Sequence, residues 1–425
     1  HLSLRRQRQM CIRDRMLTGM ISVKVVAAII GPPGIALVGQ LNNFSQILIS
    51  FSNGGIATGV TKYVAEHRDD KKAFIPYIST GFKLTLYISA AISLFLVVFA
   101  NAISKFILKS DEYALVFILF GISFIFYSLN FFFIAIINGF QEFNKYVLVN
   151  ISGSIVGLLF SIYLALQFGI TGALIASVTF QSVVFGVTLY LIRDSEWFRW
   201  KHFTQPFKWG NLTRLSKYSL MAVASAITVP AAQMIVRGYI VNMESVTTAG
   251  IWEGLNRITS MYLMVITTSL GVYFLPKIAQ LKNDRDVHQE VMKVYKLMIP
   301  FLILSSFLIY VFRFWVIRIL FTPDFYPMES LFATQLIGED IRIMGWVTGY
   351  LLLAKAMYKK YIFLELLNFT LLSTVNYWLI AHFGVWGATL GQVIIYSVYF
   401  IISLWFFRKM FFLSADDRSI HEKIY

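Results

Sequence analysis

Residues 145–193 and 360–408 carry one pattern twice, 215 positions apart and without a gap. Lys145-Tyr146 recurs as Lys360-Tyr361, Phe168-Gly169-Ile170-Thr171-Gly172-Ala173 as Phe383-Gly384-Val385-Trp386-Gly387-Ala388, and Arg193 as Arg408. Each copy holds two apolar runs of about 20 residues, enough to cross a bilayer twice. A chain built this way folds as two similar membrane halves. Parallel repeats of this kind place a substrate site between the halves, near the bilayer midplane, and let one half rock against the other.

Composition supports the membrane reading. With 57% hydrophobic residues, 14% charged and a mean hydropathy of +0.67, the chain lacks the charge a soluble surface needs. Twelve apolar stretches account for nearly all of it, near 16–31, 37–61, 77–100, 113–138, 146–167, 170–192, 215–241, 248–275, 293–321, 330–354, 361–382 and 385–407. The alternation of a membrane β-barrel is absent. The expected fold is an all-α integral membrane protein of about twelve transmembrane helices in two pseudo-symmetric six-helix bundles, 16–193 and 215–411. A linker at 194–214 joins them, and 412–425 forms a tail.

Orientation follows from the basic residues in the connections. The odd-to-even connections carry five, Lys105, Lys109, Arg237, Arg313 and Arg318, while the opposite side carries twenty-four. That bias puts both termini in the cytoplasm. The net charge of +15 is thus a topology signal, scattered over short loops with no basic face for nucleic acid. Cys11 is the sole cysteine, and the six histidines fall in no ligand-like spacing, so neither a disulfide nor a metal site is indicated. No HExxH, P-loop lysine or GxSxG motif occurs, so no cofactor, ATP site or covalent nucleophile is expected.

His1 to Arg15 carries five arginines with no apolar period, then changes character abruptly at Met16. We read it as a non-native tail resembling translated adapter text, which leaves helix 1 short of its first turns. The linker bears Trp197, Trp200 and Trp209 beside Arg199, Lys201 and Lys208, which suits an amphipathic segment in the headgroup region serving as hinge or tether. Pro230 interrupts the seventh span and predicts a kink. Every loop is short, which disfavours a membrane polysaccharide polymerase or ligase, whose chemistry needs an extramembrane domain.

Charges inside the spans are costly and mark function. Glu253 and Arg257 stand at i, i+4 and Glu339 and Arg342 at i, i+3, so each couple either neutralises itself or serves a site. Lys24 has no acid on its own span, and Arg237 has only Glu244, two turns away. Either these two cations snorkel to the interface or they line a watery cavity and hold an anion, arginine with a planar bidentate grip and lysine as a point charge. Glu253, Glu339 and Asp340 are candidates for ion coupling.

Several local stretches carry a family likeness. Gly59-Val60-Thr61-Lys62-Tyr63-Val64-Ala65, Leu215-Ser216-Lys217-Tyr218-Ser219-Leu220-Met221-Ala222, Gly250-Ile251-Trp252-Glu253-Gly254, Tyr273-Phe274-Leu275-Pro276 and Tyr361-Ile362-Phe363-Leu364-Glu365 resemble the enterobacterial common antigen flippase and O-antigen translocase family. That family lies within the multidrug, oligosaccharidyl-lipid and polysaccharide exporter superfamily. The resemblance implies two six-helix bundles around a central cavity in the bacterial inner membrane. It also implies movement of an undecaprenyl-diphosphate-linked oligosaccharide from the cytoplasmic to the periplasmic leaflet for surface polysaccharide synthesis, with a polysaccharide polymerase and chain-length regulator as partners. Lys24, Arg237 and, on our reading, Arg257 would hold the diphosphate. Glu253 with Arg257 departs from the family pattern, which bears on the substrate. The rival reading is a cation-coupled multidrug exporter of the same superfamily, whose cavity should be acidic where this chain offers Lys24.

Overall fold

The computed structural model describes residues 2–68, 70–207, 210, 219–281, 283–355 and 357–412. The helices are α1 (Leu2–Ile49), α2 (Gly55–Glu66), α3 (Lys71–Val98), α4 (Ala100–Leu108), α5 (Ala114–Gly139), α6 (Phe143–Ile192) and α7 (Trp200–Phe203). They continue with α8 (Ser219–Met243), α9 (Val246–Ser269), α10 (Leu275–Gln280), α11 (Asp284–Val311), α12 (Arg313–Leu320), α13 (Phe332–Ala354), α14 (Tyr358–Phe406) and α15 (Arg408–Phe412). Among the described residues there is no strand. Six helical stretches are long and apolar enough to cross a membrane by length and composition, and three of these run to 49 or 50 residues.

Those three are double spans. An unbroken helix of 50 residues would reach about 75 Å, more than twice the apolar core of a bilayer. Each leaves helical geometry at one glycine: Gly31 (φ 62°, ψ −174°), Gly169 (φ 57°, ψ −133°) and Gly384 (φ 61°, ψ −149°). That backbone region is almost closed to side chains bearing a Cβ. At Gly169 the chain reverses, since a Cβ on Gly157 would lie 3.0 Å from the Phe180 ring, residues that a straight helix would hold about 34 Å apart. The second glycine of each turn is needed for close approach: a Cβ on Gly172 would strike the Leu164 carbonyl, and one on Gly387 the Leu379 carbonyl. The repeated Phe-Gly-x-x-Gly-Ala text is therefore a helical hairpin turn, and its spacing is kept because both glycines are required. Among the described residues the apolar stretches fall largely on helix.

The chain divides into two compact units, one of His1–Met234 with Leu320–Thr322, the other of Ile235–Ile319 with Pro323–Tyr425. Unit 1 is held by an aromatic and aliphatic core in which Phe132, Phe133, Ile136 and Ile137 of α5 meet Val60 and Val64 of α2, Phe74 and Ile78 of α3, and Val184 of α6. In unit 2, Leu263, Ile266 and Leu270 pack with Val287, Val291 and Leu302 of α11 and with Ile343, Val347 and Leu351 of α13. Each unit also contains one π turn, Ser50–Gly54 after α1 and Leu270–Phe274 after α9.

One expectation changes in detail. Trp197 does not lie among headgroups: it is 3% exposed, stacks on Phe140 at 5.5 Å and donates from Nε1 to Glu142 Oε1 at 3.1 Å. Lys145, itself 3.2 Å from Glu142, donates to Ser195 Oγ at 2.6 Å, and Ser79 Oγ donates to the Phe203 and Gln205 carbonyls at 3.1 and 2.7 Å. The first part of the linker is thus packed into unit 1, because an indole with a half-buried carboxylate acceptor gains more from the aromatic core than from the interface. Trp200 is 60% exposed, while Trp209, Lys208 and Asn211 to Arg214 lie outside the described residues. α8 continues through Pro230 as one helix. The polar run from Asp286 to Lys296 forms the first turns of α11, which Asn283 caps by accepting from Arg285 N at 2.8 Å.

Candidate functional site

The turn between α8 and α9 sets the geometry of the first ionic cluster. Ser245, in extended conformation, caps α9 by accepting from Thr248 N at 3.0 Å, so the chain doubles back immediately after Glu244. Arg237 lies seven residues before Glu244 and Glu253 eight after Ser245, which brings the two side chains level across the hairpin. Arg237 Nη2 donates to Glu253 Oε2, and its guanidinium lies over the Trp252 ring with Cζ 5.7 Å from the centroid. From the next turn of α9, Arg257 Nε donates to Glu253 Oε1 at 3.3 Å.

Glu253 therefore serves two arginines. The expected i, i+4 pair with Arg257 is present, but the expectation that Arg237 lacks a nearby acid is overturned. Its partner sits on the neighbouring helix, where same-helix spacing does not reveal it. Among the described residues, these three groups, one carboxylate and two guanidinium groups, carry one net positive charge. Arg237 is 2% exposed and fixed by both Glu253 and Trp252, whereas the Arg257 side chain is 20% exposed. Arg237 is thus the inner of the two arginines and Arg257 the more accessible one.

A second cluster follows one helix over. Gln335 on α13 donates to Asn256 Oδ1 at 3.0 Å and to Glu339 Oε1 at 3.1 Å, tying the residue beside Arg257 to α13. Glu339 pairs with Arg342 at 2.9 Å, as its spacing predicts, and the Arg342 guanidinium lies between the Trp346 and Tyr396 rings, 4.8 and 5.5 Å from their centroids. Asp340 is different. Its Oδ1 accepts from Tyr262 of α9 at 3.0 Å and from Ser306 of α11 at 2.8 Å, joining three helices through neutral hydroxyls. Sequence reasoning reached Glu253, Arg257, Glu339 and Asp340 but missed Asn256, Gln335, Tyr262 and Ser306. Gln335 stood at i−4 to Glu339 and was findable; the two hydroxyls gave no signal.

Lys24 belongs to unit 1, half-buried on α1, and donates to the Phe321 carbonyl. Glu244, once the nearest acid to Arg237, instead accepts from Val385 N at 2.5 Å, at the start of the second limb of α14. Among the described residues, no three His, Cys, Asp or Glu side chains gather as a metal site.

A double array of apolar spans with ion pairs buried inside them is the make-up of a transporter. Solved structures share the fold: the inward-facing conformation of a multidrug resistance MATE family transporter of the MOP superfamily has a TM-score of 0.76 at 15% identity, covering 93% of this chain and 94% of that one. A MOP superfamily transporter from Pyrococcus furiosus, described as having a binding pocket of reverse polarity, has a TM-score of 0.59 at 14% identity over 94% and 96% of the two chains. The family model described as polysaccharide biosynthesis protein matches residues 21–330. Lipid III flippases of Escherichia coli (strain K12) and Shigella flexneri are each 30% identical over 384 residues, 90% of this chain and 92% of theirs. The chain belongs to the polysaccharide biosynthesis protein family. It is a multi-pass membrane transporter of the flippase kind, and not an enzyme.

Proposed function

We propose that this chain carries an undecaprenyl-diphosphate-linked oligosaccharide from the cytoplasmic to the periplasmic leaflet of the bacterial inner membrane by alternating access, with both termini in the cytoplasm. The supporting observation is the sharing of Glu253 between Arg237 and Arg257. A net positive charge inside a membrane span is costly unless an anion meets it, and a diphosphate offers the oxygens a guanidinium grips in pairs. Arg257 is the proposed contact and Arg237 the residue that holds Glu253 in place. Lys24, in unit 1, is a separate candidate contact. The relatives named as lipid III flippases and the twenty-four to five bias of basic connections support substrate class and orientation respectively.

Coupling narrows to one carboxyl. Glu253 and Glu339 have arginine partners, while Asp340 has two hydroxyls, so Asp340 is the proposed proton carrier. Outward passage of an anionic head is itself favoured by an inside-negative potential, by about 2.3 kcal/mol per charge per 100 mV. The multidrug alternative asks for an acidic site for cationic drugs, and the Glu253 cluster has the opposite sign.

The deciding measurement is delivery of lipid-linked sugar to the outer leaflet, normalised to membrane protein. Arg257→Ala should lower it by about tenfold or more at unchanged protein level, and Arg257→Lys should restore part of it, since a point charge replaces a bidentate grip. Normal normalised delivery by Arg257→Ala would remove the anion site from this cluster.

A further inference from the structure

From Pro32 to Thr61 the chain carries no charged residue, yet it holds amides at Gln40, Asn42, Asn43, Gln46 and Asn53. Asn42 and Gln46 both fall inside the apolar stretch 37–61, away from its charged flanks Lys24 and Lys62. Two of the amides are committed to the protein: Asn43 donates to Gln233 Oε1 at 3.2 Å, and Asn53 donates to Ser128 O and Oγ at 3.0 and 2.7 Å. Asn42 and Gln46 are not. Gln46 is exposed, Asn42 is half-buried, and among the described residues neither side-chain amide has a hydrogen-bond partner. They lie one turn apart, about 40° around the helix, with Ser50 a turn further on, where it donates to the Gln46 carbonyl at 2.7 Å.

An amide turned to hydrocarbon in mid-span loses its hydrogen bonds, at a cost of several kcal/mol. Two such amides on one helical face mark a face that meets water or a polar ligand. The chemistry of the ladder selects among ligands. Each amide offers a donor and an acceptor and no charge, which matches the hydroxyl pairs of a sugar ring and gives no preference for phosphate. We propose that Asn42 and Gln46 bind the saccharide head of the lipid-linked substrate. The inference rests on the function proposed above and assigns the sugar-reading residues that it leaves open.

The test uses the full-length chain in nanodiscs with two probes: undecaprenyl diphosphate, and the same lipid bearing a neutral disaccharide. The Asn42→Leu, Gln46→Leu double variant should bind the disaccharide lipid about tenfold more weakly and the bare lipid within about twofold of the parent chain. Gln46→Asn should recover part of the loss. A melting temperature kept at the parent value separates this from misfolding, and if the double variant fails to fold, Gln46→Leu alone is measured against the same two probes. Unchanged affinity for both probes, or an equal fall for both, overturns the inference. Dispersal of an oligomer with unchanged affinity per chain would assign the face to a second copy and overturns it as well. Arg257→Ala measured alongside keeps the two readings apart: weakened bare-lipid binding there leaves the flippase reading standing whatever the amides do, while unchanged binding in every variant takes that reading down too.

Discussion

In unit 1 the polar interior is neutral. Asn53, in the π turn, donates to Ser128 and to Ser52 Oγ and accepts from Thr85 Oγ1, while Asn130 donates to Gln181 Oε1 at 2.8 Å and accepts from Thr188 at 2.6 Å. Among the described residues every buried polar side chain of that unit is a serine, threonine or asparagine. Unit 2 buries Arg237, Glu253, Glu339 and Glu365 as well. The halves share a repeated hairpin and a π turn each, so the fold itself does not demand charge. Neutral networks suffice to satisfy buried donors and acceptors, and ion pairs are expensive to desolvate and often no better for stability than apolar packing. Among the described residues fully buried charge is confined to unit 2, while the in-span Lys24 of unit 1 is only half-buried.

If this contrast holds, cutting unit 2's network should cost more than cutting unit 1's. Glu253→Ala removes the carboxylate that meets a guanidinium only 2% exposed and should destabilise the protein by about 3–5 kcal/mol. Melting of the purified protein reads the loss, and restoration by the added Arg237→Met exchange would identify the buried charge as its cause. A fall no larger than that of a neutral bond would erase the distinction between the halves.

Asp340→Asn sharpens the same contrast on the transport side. The amide keeps an oxygen to accept from Tyr262 and Ser306 but exchanges no proton, so stimulation of transport by an imposed pH gradient should fall about tenfold while the melting temperature moves little. Full stimulation in the variant would shift coupling away from this carboxyl. In unit 1, Asn53→Ala should cost about 1–3 kcal/mol, the price of leaving Ser128 and Thr85 without their buried partner, and should leave the pH response of transport as it was.

Legibility in the sequence divides along physical lines. The helical, apolar character of the chain was readable because a bilayer imposes length and hydropathy on each segment independently, and the repeat was readable because Gly169 and Gly172 recur at Gly384 and Gly387 with their spacing intact. The Glu253–Arg257 and Glu339–Arg342 pairs were readable because helical spacing brings them together within one segment. Arg237 with Glu253 was not, since their meeting depends on where the Ser245 turn falls, and Asp340 with Tyr262 and Ser306 depends on how three helices pack. Trp197 misled for the opposite reason: beside basic residues a tryptophan reads as interfacial, and only Glu142, more than fifty positions earlier, makes its burial favourable.

The smallest expected difference compares the two hairpin turns, which share their two glycines and a similar backbone but differ in the neighbour at the first glycine. Gly169 has open space where a Cβ would stand, while a Cβ on Gly384 would strike Glu244 Oε1, the oxygen that accepts from Val385 N. Both glycines have φ near +60°, so alanine at either should cost about 1–3 kcal/mol of backbone strain. Gly384→Ala should cost about 1 kcal/mol more than Gly169→Ala, because it also displaces the carboxylate from the helix terminus. In the Glu244→Ala background that excess should vanish, leaving the two alanines equal in a melting experiment. An excess that survives removal of Glu244 would mean that the turns differ in backbone strain, and that the asymmetry of the halves extends to their shared hairpin.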